Sequence, residues 1–534
     1  VGRTGISNPI LRGFNPDASI TQVNDDYYIA TSTFEWLPGV DIYHSRDLVN
    51  WDLVASPLQD GINVNLRGNE DSGSIWAPHL SFAEGRFWLV FTDVKSRGQG
   101  LDALNYIISA EDVKGPWSEP VFINASGFDP ALFHDGHHHY FLNMLHDYRP
   151  ERDQRFAGLV MQEIDLPTLT LKGERRHFFT GTDLGVCEGP TLMKKDGYYY
   201  LLAAAGGTGY SHAATVSRSK DIWGPYETSP FHPLLTTKDD PTNPVQKAGH
   251  ASFVQAGDEW FIVHIMARPL SLQRGHCPLG RETGLQKIEW IDDWPRLANG
   301  THWPQMVIEA PKIARGVTQR SDYSERIDFA DGVLPPSMKT LRHSLSSELS
   351  FDARPGYLRL HGGQSLGSLH EQSLLARRWQ STSFRAETQV EFSPRSFQQI
   401  AGLVCYFDTN NWQYLNVSFD EELGCKVLRL DISDNGKWVL VGKRPIEEQE
   451  AALRLGVRVN RNQAQFEAAK IGGAFVPIGE PTAADRLSDD YVKELGGLSF
   501  TGAFVGICAQ DLDDHSSFAD FRYFDYREFP GECA

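Results

Sequence analysis

The sequence predicts an all-β protein, a five-bladed β-propeller followed by a C-terminal, jelly-roll-like β-sandwich. Three observations lead there. A turn followed by an aromatic strand recurs five times, few segments keep a helical period, and a block of alternating strands follows the repeats. The expected domains are residues 1–320 for the propeller and 321–534 for a sandwich packing on it.

The five copies read "DDYYIATSTF" from Asp25, "EGRFWLVFTDV" from Glu84, "DGHHHYFLNML" from Asp135, "DGYYYLLAAAG" from Asp196 and "GDEWFIVHIM" from Gly257. Anchored on Tyr27, Phe87, His139, Tyr198 and Trp260, they recur at intervals of roughly 50–60 residues. Second signals such as "HSRDLVNW" and "VSRSKDIWGPY" follow several copies, so each unit reads as several short strands punctuated by Gly, Pro and Asp turns. Radial repetition of such units leaves only short, protected sheet edges.

Composition bounds the function. The 534 residues carry 69 acidic and 50 basic side chains, a net charge of −19, which argues against a nucleic-acid partner and suits a neutral small-molecule substrate. The aromatic share of 11% offers flat apolar faces that serve a core or a sugar ring. The apolar runs are strand-length, so no membrane partner is expected. Six cysteines (Cys187, Cys277, Cys405, Cys425, Cys508, Cys533) show no CxxC pair, which favours free thiols over a disulfide frame or zinc site. The opening "VGRTGISNPI" has no charged start with an apolar run, and a cytoplasmic location is the expectation.

Ten residues before the anchors stand Asp17, Ala77, Asp129, Glu188 and His250. The innermost strands of a propeller converge on its axis, so repeat-equivalent positions meet there. Three carboxyls in one place can bind a hard cation or perform acid–base chemistry. Glycoside hydrolysis needs one protonated carboxyl for the leaving oxygen and one ionised carboxylate for water or for the sugar, and crowding of like charges separates their pKa values. Spacing alone does not assign the roles. The run "HDGHHHY" (His134, His137, His138, His139) is read as a strand edge, since neighbouring strand residues face opposite ways and cannot all reach one ion.

The segments "NPILRGFNPDASI", "STFEWLPGVDIYHSRDLVNW", "IWAPHLSF", "GFDPALFHDG", "CEGPTLMKKDGYYYLLAAAGGTGYSHAA", "PVQKAGHASFV" and "PLGRETGLQKIEW" together resemble the two-domain β-xylosidases of glycoside hydrolase family 43. The resemblance implies an inverting, exo-acting enzyme that releases xylose from the non-reducing end of β-1,4-xylo-oligosaccharides. It also implies Asp17 as general base, Glu188 as general acid and Asp129 as the residue that tunes and orients the acid. By the same resemblance Phe34, Trp36, Trp76 and Thr208 bind substrate, and Arg281 bonds a sugar hydroxyl or pairs with a catalytic acid. His250 lies on the axis, where some relatives hold calcium through water; no other cofactor is implied, and homo-oligomers are compatible with it. Asn15 and Ala18 depart from the family's usual residues beside the base, and Ala18 is expected to loosen that loop.

After about Arg320 come alternating strands, among them "SFRAETQVEF", "IAGLVCYFD", "WQYLNVSF", "KVLRLDIS", "LRLGVRVN" and "FADFRYFDY". This domain reads either as a carbohydrate-binding module or as a structural partner closing one side of the pocket; the resemblance implies the structural partner, with loop 511–518 and Phe518 at the wall. Two other readings stand beside the first: an α-L-arabinofuranosidase, as main or side activity, and a non-catalytic sugar-binding propeller.

Overall fold

The computed structural model describes residues 5–98, 100–152, 155–447 and 450–529, in two compact units. The first comprises residues up to Val64, Gly73–Arg274 and Arg281–Gln319; the second comprises Asn65–Ser72, Gly275–Gly280 and the residues from Arg320 onward. Two short pieces of the first 320 residues therefore fold with the second unit, which a single boundary at 320 does not capture.

The first unit is a five-bladed propeller. Each blade is an antiparallel sheet whose strands follow chain order. Their innermost strands are Ser19–Val23, Ser74–Ala83, Ala131–Asp135, Cys187–Lys195 and Gln246–Ala256. Each touches the next, and the fifth returns to the first, which closes the ring. Tight turns make the hairpins: in Glu84-Gly85 and Asp196-Gly197 both residues have positive φ, the geometry that matches strand twist. The chain's start helps to close the ring. Gly5–Ser7 pairs with Val307–Glu309, and the Asn8 side chain bonds both the C=O and the N–H of Leu285 in blade five. Ile6, Ile10 and Leu11 pack there with Ile20, Ile29, Phe261 and Val263, so blades one and five share a core.

The register corrects one point of the sequence reading. The last pairs before the inner hairpin turns are Val23–Asp26, Ala83–Arg86, Asp135–His138, Lys195–Tyr198 and Ala256–Glu259. Six residues back from these lie Asp17, Ala77, Asp129, Gly189 and His250. Glu188 is one residue upstream of the equivalent place, because Tyr198 opens its strand whereas the other anchors stand second in theirs. In a regular strand that offset would turn the side chain to the opposite face. Here the ladder breaks between Glu188 and Thr191, and Gly189 takes φ 55°, so the bulge re-aims the chain. Asp17 (58°), Asp129 (54°) and His250 (42°) share the left-handed backbone.

The second unit is a β-sandwich of two antiparallel sheets over one core. One sheet runs Leu349–Ser350, Leu358–His361, Phe518–Glu528, Ser383–Phe392, Ala452–Asn460, Gln463–Lys470 and Val476–Pro477. The other runs Lys437–Pro445, Cys425–Asp434, Asn411–Asp420, Gln399–Asp408, Phe504–Asp511, Ser373–Arg378 and Lys339–Leu341. Burial alternates along Ser383–Phe392, as one packed and one solvated face require. Trp379, Phe384, Leu403, Leu455 and Phe524 are among its fully buried side chains. A short helix, Asp489–Glu494, is capped by Ser488, whose hydroxyl accepts from the Tyr491 N–H; the strand reading did not anticipate it.

Five cysteines (Cys187, Cys277, Cys405, Cys425 and Cys508) are free thiols; Cys533 lies outside the described residues. Among the described residues no helix is long and apolar enough to cross a membrane.

Candidate active site

Asp17, Asp129 and Glu188 are all buried, at 4%, 7% and 8% exposure, which is unusual for carboxyls and demands partners. Asp17 has them. Arg281 Nη1 lies 2.9 Å from its Oδ1 and Nη2 3.4 Å from its Oδ2, and Ser32 donates its hydroxyl to Oδ2. His250 Nδ1 stands 3.6 Å from Oδ1. Burial alone would raise this pKa, but Arg281, His250 and Ser32 outweigh it and hold the carboxyl below the ordinary value.

The other two carboxyls go the opposite way. Burial, then the Asp17 charge, push Glu188 up to about 7. Burial and the charges of Glu188 and Asp17 raise Asp129, while the Gly189 N–H, 2.9 Å from Oδ2, favours its ionised form. One buried carboxyl is thus ionised beside another that keeps its proton near neutrality. That division is what acid–base chemistry at one bond requires.

The loop bearing Asp17 is fastened on several sides. The Asn15 amide N–H donates to the Arg281 carbonyl at 3.0 Å, Tyr43 Oη to Asn15 Oδ1 at 2.7 Å, and Thr283 Oγ1 to the Asn15 carbonyl at 2.7 Å. Ala18 is fully packed, so the loosening expected from it is not seen.

Aromatic rings adjoin this cluster. Phe34 lies 5.6 Å from the Arg281 guanidinium, measured to the ring centroid, and 6.3 Å from Trp76. Trp76 meets Phe128 edge-on at 5.0 Å, and Phe14 meets Phe34 at 5.7 Å. Trp76 keeps partial exposure, as a sugar platform needs. Trp36 does not: at 1% exposure it has no open face, and its expected place in a pocket wall becomes a core position. Thr208 is half-buried in the loop between Tyr198–Ala205 and Ala213–Ser219. Phe518 is 40% exposed in the second unit, its ring 3.7 Å from the Arg359 guanidinium carbon and 5.8 Å from His361.

Ser32, Phe14, Phe128 and Gly189 were not singled out from the sequence. The polar run "TST" ahead of Phe34 was the available signal for Ser32. Phe128 is marked only by its place next to Asp129 in the chain.

Below the carboxyls is an axial cavity of about 10 Å³, the room of one water, lined by His79, His250, Asp129, Gly189 and Thr191. Its lining offers two imidazoles, the Asp129 carboxyl, the Ser19 and Thr191 side chains and small apolar groups, whereas calcium takes six to eight oxygens. Among the described residues no three His, Cys, Asp or Glu side chains gather as a ligand set. This donor set does not fit a calcium ion ligated directly by the protein. The histidine run separates as expected: His138 is exposed toward Glu163, while His134 bonds His139 at 2.9 Å and Ser81 at 2.9 Å.

Comparison with known proteins decides the family. The family model described as glycosyl hydrolases family 43 matches residues 6–295. The chain belongs to glycosyl hydrolase family 43. A second model, the beta xylosidase C-terminal concanavalin A-like domain, matches residues 326–527 and agrees with the sandwich. The chain is 46% identical to a beta-xylosidase of Bacillus subtilis (strain 168), over 98% of this chain and 99% of that one. It is 45% identical to xylosidase/arabinosidase 43B of Humicola insolens, over 98% and 97%. Among solved structures, a xylan beta-1,4-xylosidase from Bacillus halodurans C-125 superposes with a TM-score of 0.93 at 44% identity, covering 98% of this chain and all of that one. Membership in the family makes the chain a glycoside hydrolase, with a glycan as its small-molecule substrate.

Proposed function

We propose that the protein is an exo-acting, inverting β-xylosidase that releases xylose from the non-reducing end of β-1,4-xylo-oligosaccharides. The observation that carries the reading is the cluster of buried carboxyls in which Arg281 and Ser32 clasp Asp17, an arrangement that lowers the Asp17 pKa while burial and the Asp17 charge raise that of Glu188. Similarity to named β-xylosidases along nearly the whole chain supports the substrate.

In this mechanism Asp17 takes a proton from a water that attacks the anomeric carbon. Glu188 gives its proton to the glycosidic oxygen as the carbon–oxygen bond breaks. The β-linked sugar leaves as the α-anomer, and a proton returns from Asp17 to Glu188 through solvent. Burial and the Asp17 charge keep the acid protonated until the leaving oxygen claims its proton, and Asp129, itself pushed up by burial and by the Glu188 charge, sits beside it and accepts from the Gly189 N–H next to Glu188. Arg281 has two tasks: it holds Asp17 ionised, and its fork fixes where that carboxylate points. Trp76, which keeps partial exposure, supplies the apolar wall for the sugar ring, and Phe34, buried at 2% exposure, packs beside it.

An arabinofuranosidase activity is the second reading, favoured by the name of the Humicola relative. Hydrolysis of 4-nitrophenyl β-D-xylopyranoside and α-L-arabinofuranoside separates the two. Higher kcat/KM on the xyloside supports the first reading; preference for the arabinoside keeps the chemistry and exchanges the substrate. Turnover of neither, with sugar still bound, leaves a binding propeller.

A further inference from the structure

Gly275–Gly280 folds with the second unit, and the residue that follows it is Arg281, the partner of Asp17 in the propeller. The segment is held along its length. His276 Nδ1 lies 3.1 Å from Asp485 Oδ2, and its Nε2 lies 2.9 Å from Glu494 Oε1. The Cys277 amide donates to Asp490 Oδ2 at 2.9 Å, and the Ala503 amide donates to the Pro278 carbonyl at 2.8 Å. Gly280, at φ 71°, runs so close to Thr501 and Gly502 that a Cβ there would sit 2.9 and 2.8 Å from their backbones. The segment is a strap held at His276, Cys277, Pro278 and Gly280.

Carboxylates only accept hydrogen bonds, and a neutral imidazole has a single N–H. A carboxylate on each ring nitrogen therefore calls for the doubly protonated ring. The Asp485 and Glu494 bonds outweigh burial and raise its pKa to about 9, which agrees with the geometry. The other charged groups nearby are Asp490, on the strap's own amide, and Arg486, which acts on Asp485; the Tyr491 ring lies 6.0 Å away. His276 is thus the strap's cationic pin.

We propose that His276 is a positioning residue for Asp17, holding through the strap Gly275–Gly280 the backbone from which Arg281 reaches that carboxylate. The proposal rests on the reading of Asp17 as general base. With the pin removed, the strap is held only from Cys277 onward, and the fork of Arg281 on Asp17 slackens. The carboxyl pKa then rises toward the value that burial alone would set.

The test is kcat/KM against pH on 4-nitrophenyl β-D-xylopyranoside for the wild type, His276→Ala and His276→Arg. The alanine variant is expected to move the acid limb up by about one pH unit, a loss of about tenfold on that limb, and to leave the basic limb in place. His276→Arg, which can still bridge both carboxylates, is expected to restore most of the limb. An unmoved acid limb in His276→Ala, however low the plateau, overturns the proposal, because a purely structural role lowers the plateau alone. A wild type inactive on both xyloside and arabinoside overturns the functional reading beneath it as well. If the alanine variant does not fold, Glu494→Gln, which weakens one partner whose side chain is 62% exposed, carries the same test with a smaller shift.

Discussion

Arg281 grips Asp17 with two nitrogens, Nη1 on Oδ1 at 2.9 Å and Nη2 on Oδ2 at 3.4 Å, and both side chains are almost wholly buried. The pair carries the main electrostatic demand of the site. A buried carboxylate without its cation is costly, and the expected response is protonation. Arg281→Ala should therefore lower stability by about 3–5 kcal/mol near neutral pH, or leave Asp17 protonated and the enzyme inactive. Arg281→Lys keeps the charge but not the fork, and should raise the acid limb of kcat/KM by about one pH unit. Urea denaturation and pH–rate profiles of both variants check this.

The wild-type pH profile should be bell-shaped. Asp17 must be ionised, and its pKa lies below the ordinary carboxyl value, so the acid limb falls below the ordinary carboxyl range. Glu188 must be protonated, and its raised pKa puts the basic limb near 7. Activity should decline as pH rises through that value, and Glu188→Gln should abolish the basic limb along with most of the rate. Stability carries the same sign. Because the native pKa of Glu188 exceeds its ordinary value, its contribution is complete below the ordinary carboxyl range and is lost as pH rises through about 7.

How much of this was legible in the sequence depends on what kind of signal carried it. The five blades were legible because a hairpin turn and an aromatic strand leave a local pattern, and repetition multiplies it. The register of Glu188 was not. Tyr198, Tyr199 and Tyr200 are all tyrosines, so the pattern fits equally well one residue either way, and only the pairing of Lys195 with Tyr198 fixes it. The sandwich strands read clearly wherever branched or aromatic residues alternate. The strand Gln463–Lys470, rich in alanine, gave a weaker period and was missed. The strap residues were invisible for another reason. His276 acquires its meaning from Asp485 and Glu494, more than 200 positions away, and no local pattern reports a pairing of that range.

Gly189 is the residue that lets Glu188 enter the site from one place upstream. Its φ of 55° costs a side chain about 1–2 kcal/mol, and a Cβ there would stand 2.9 Å from the His250 ring. Gly189→Ala should therefore destabilise the propeller by at least that amount. It should also lower kcat more than it raises KM, because the Gly189 amide holds Asp129 and the bulge aims Glu188. Chemical denaturation together with steady-state kinetics separates the two effects.

The central claim is that Glu188 supplies the proton to the leaving oxygen. The most direct measurement compares kcat/KM on xylobiose with kcat/KM on 4-nitrophenyl β-D-xylopyranoside, in the wild type and in Glu188→Ala. Nitrophenolate departs without much help from an acid, whereas the hydroxyl of a second xylose does not. The account predicts that the variant loses about 10²–10⁴-fold on xylobiose and far less on the aryl xyloside. Equal losses on the two substrates would contradict it, and the proton would then have to come from another group.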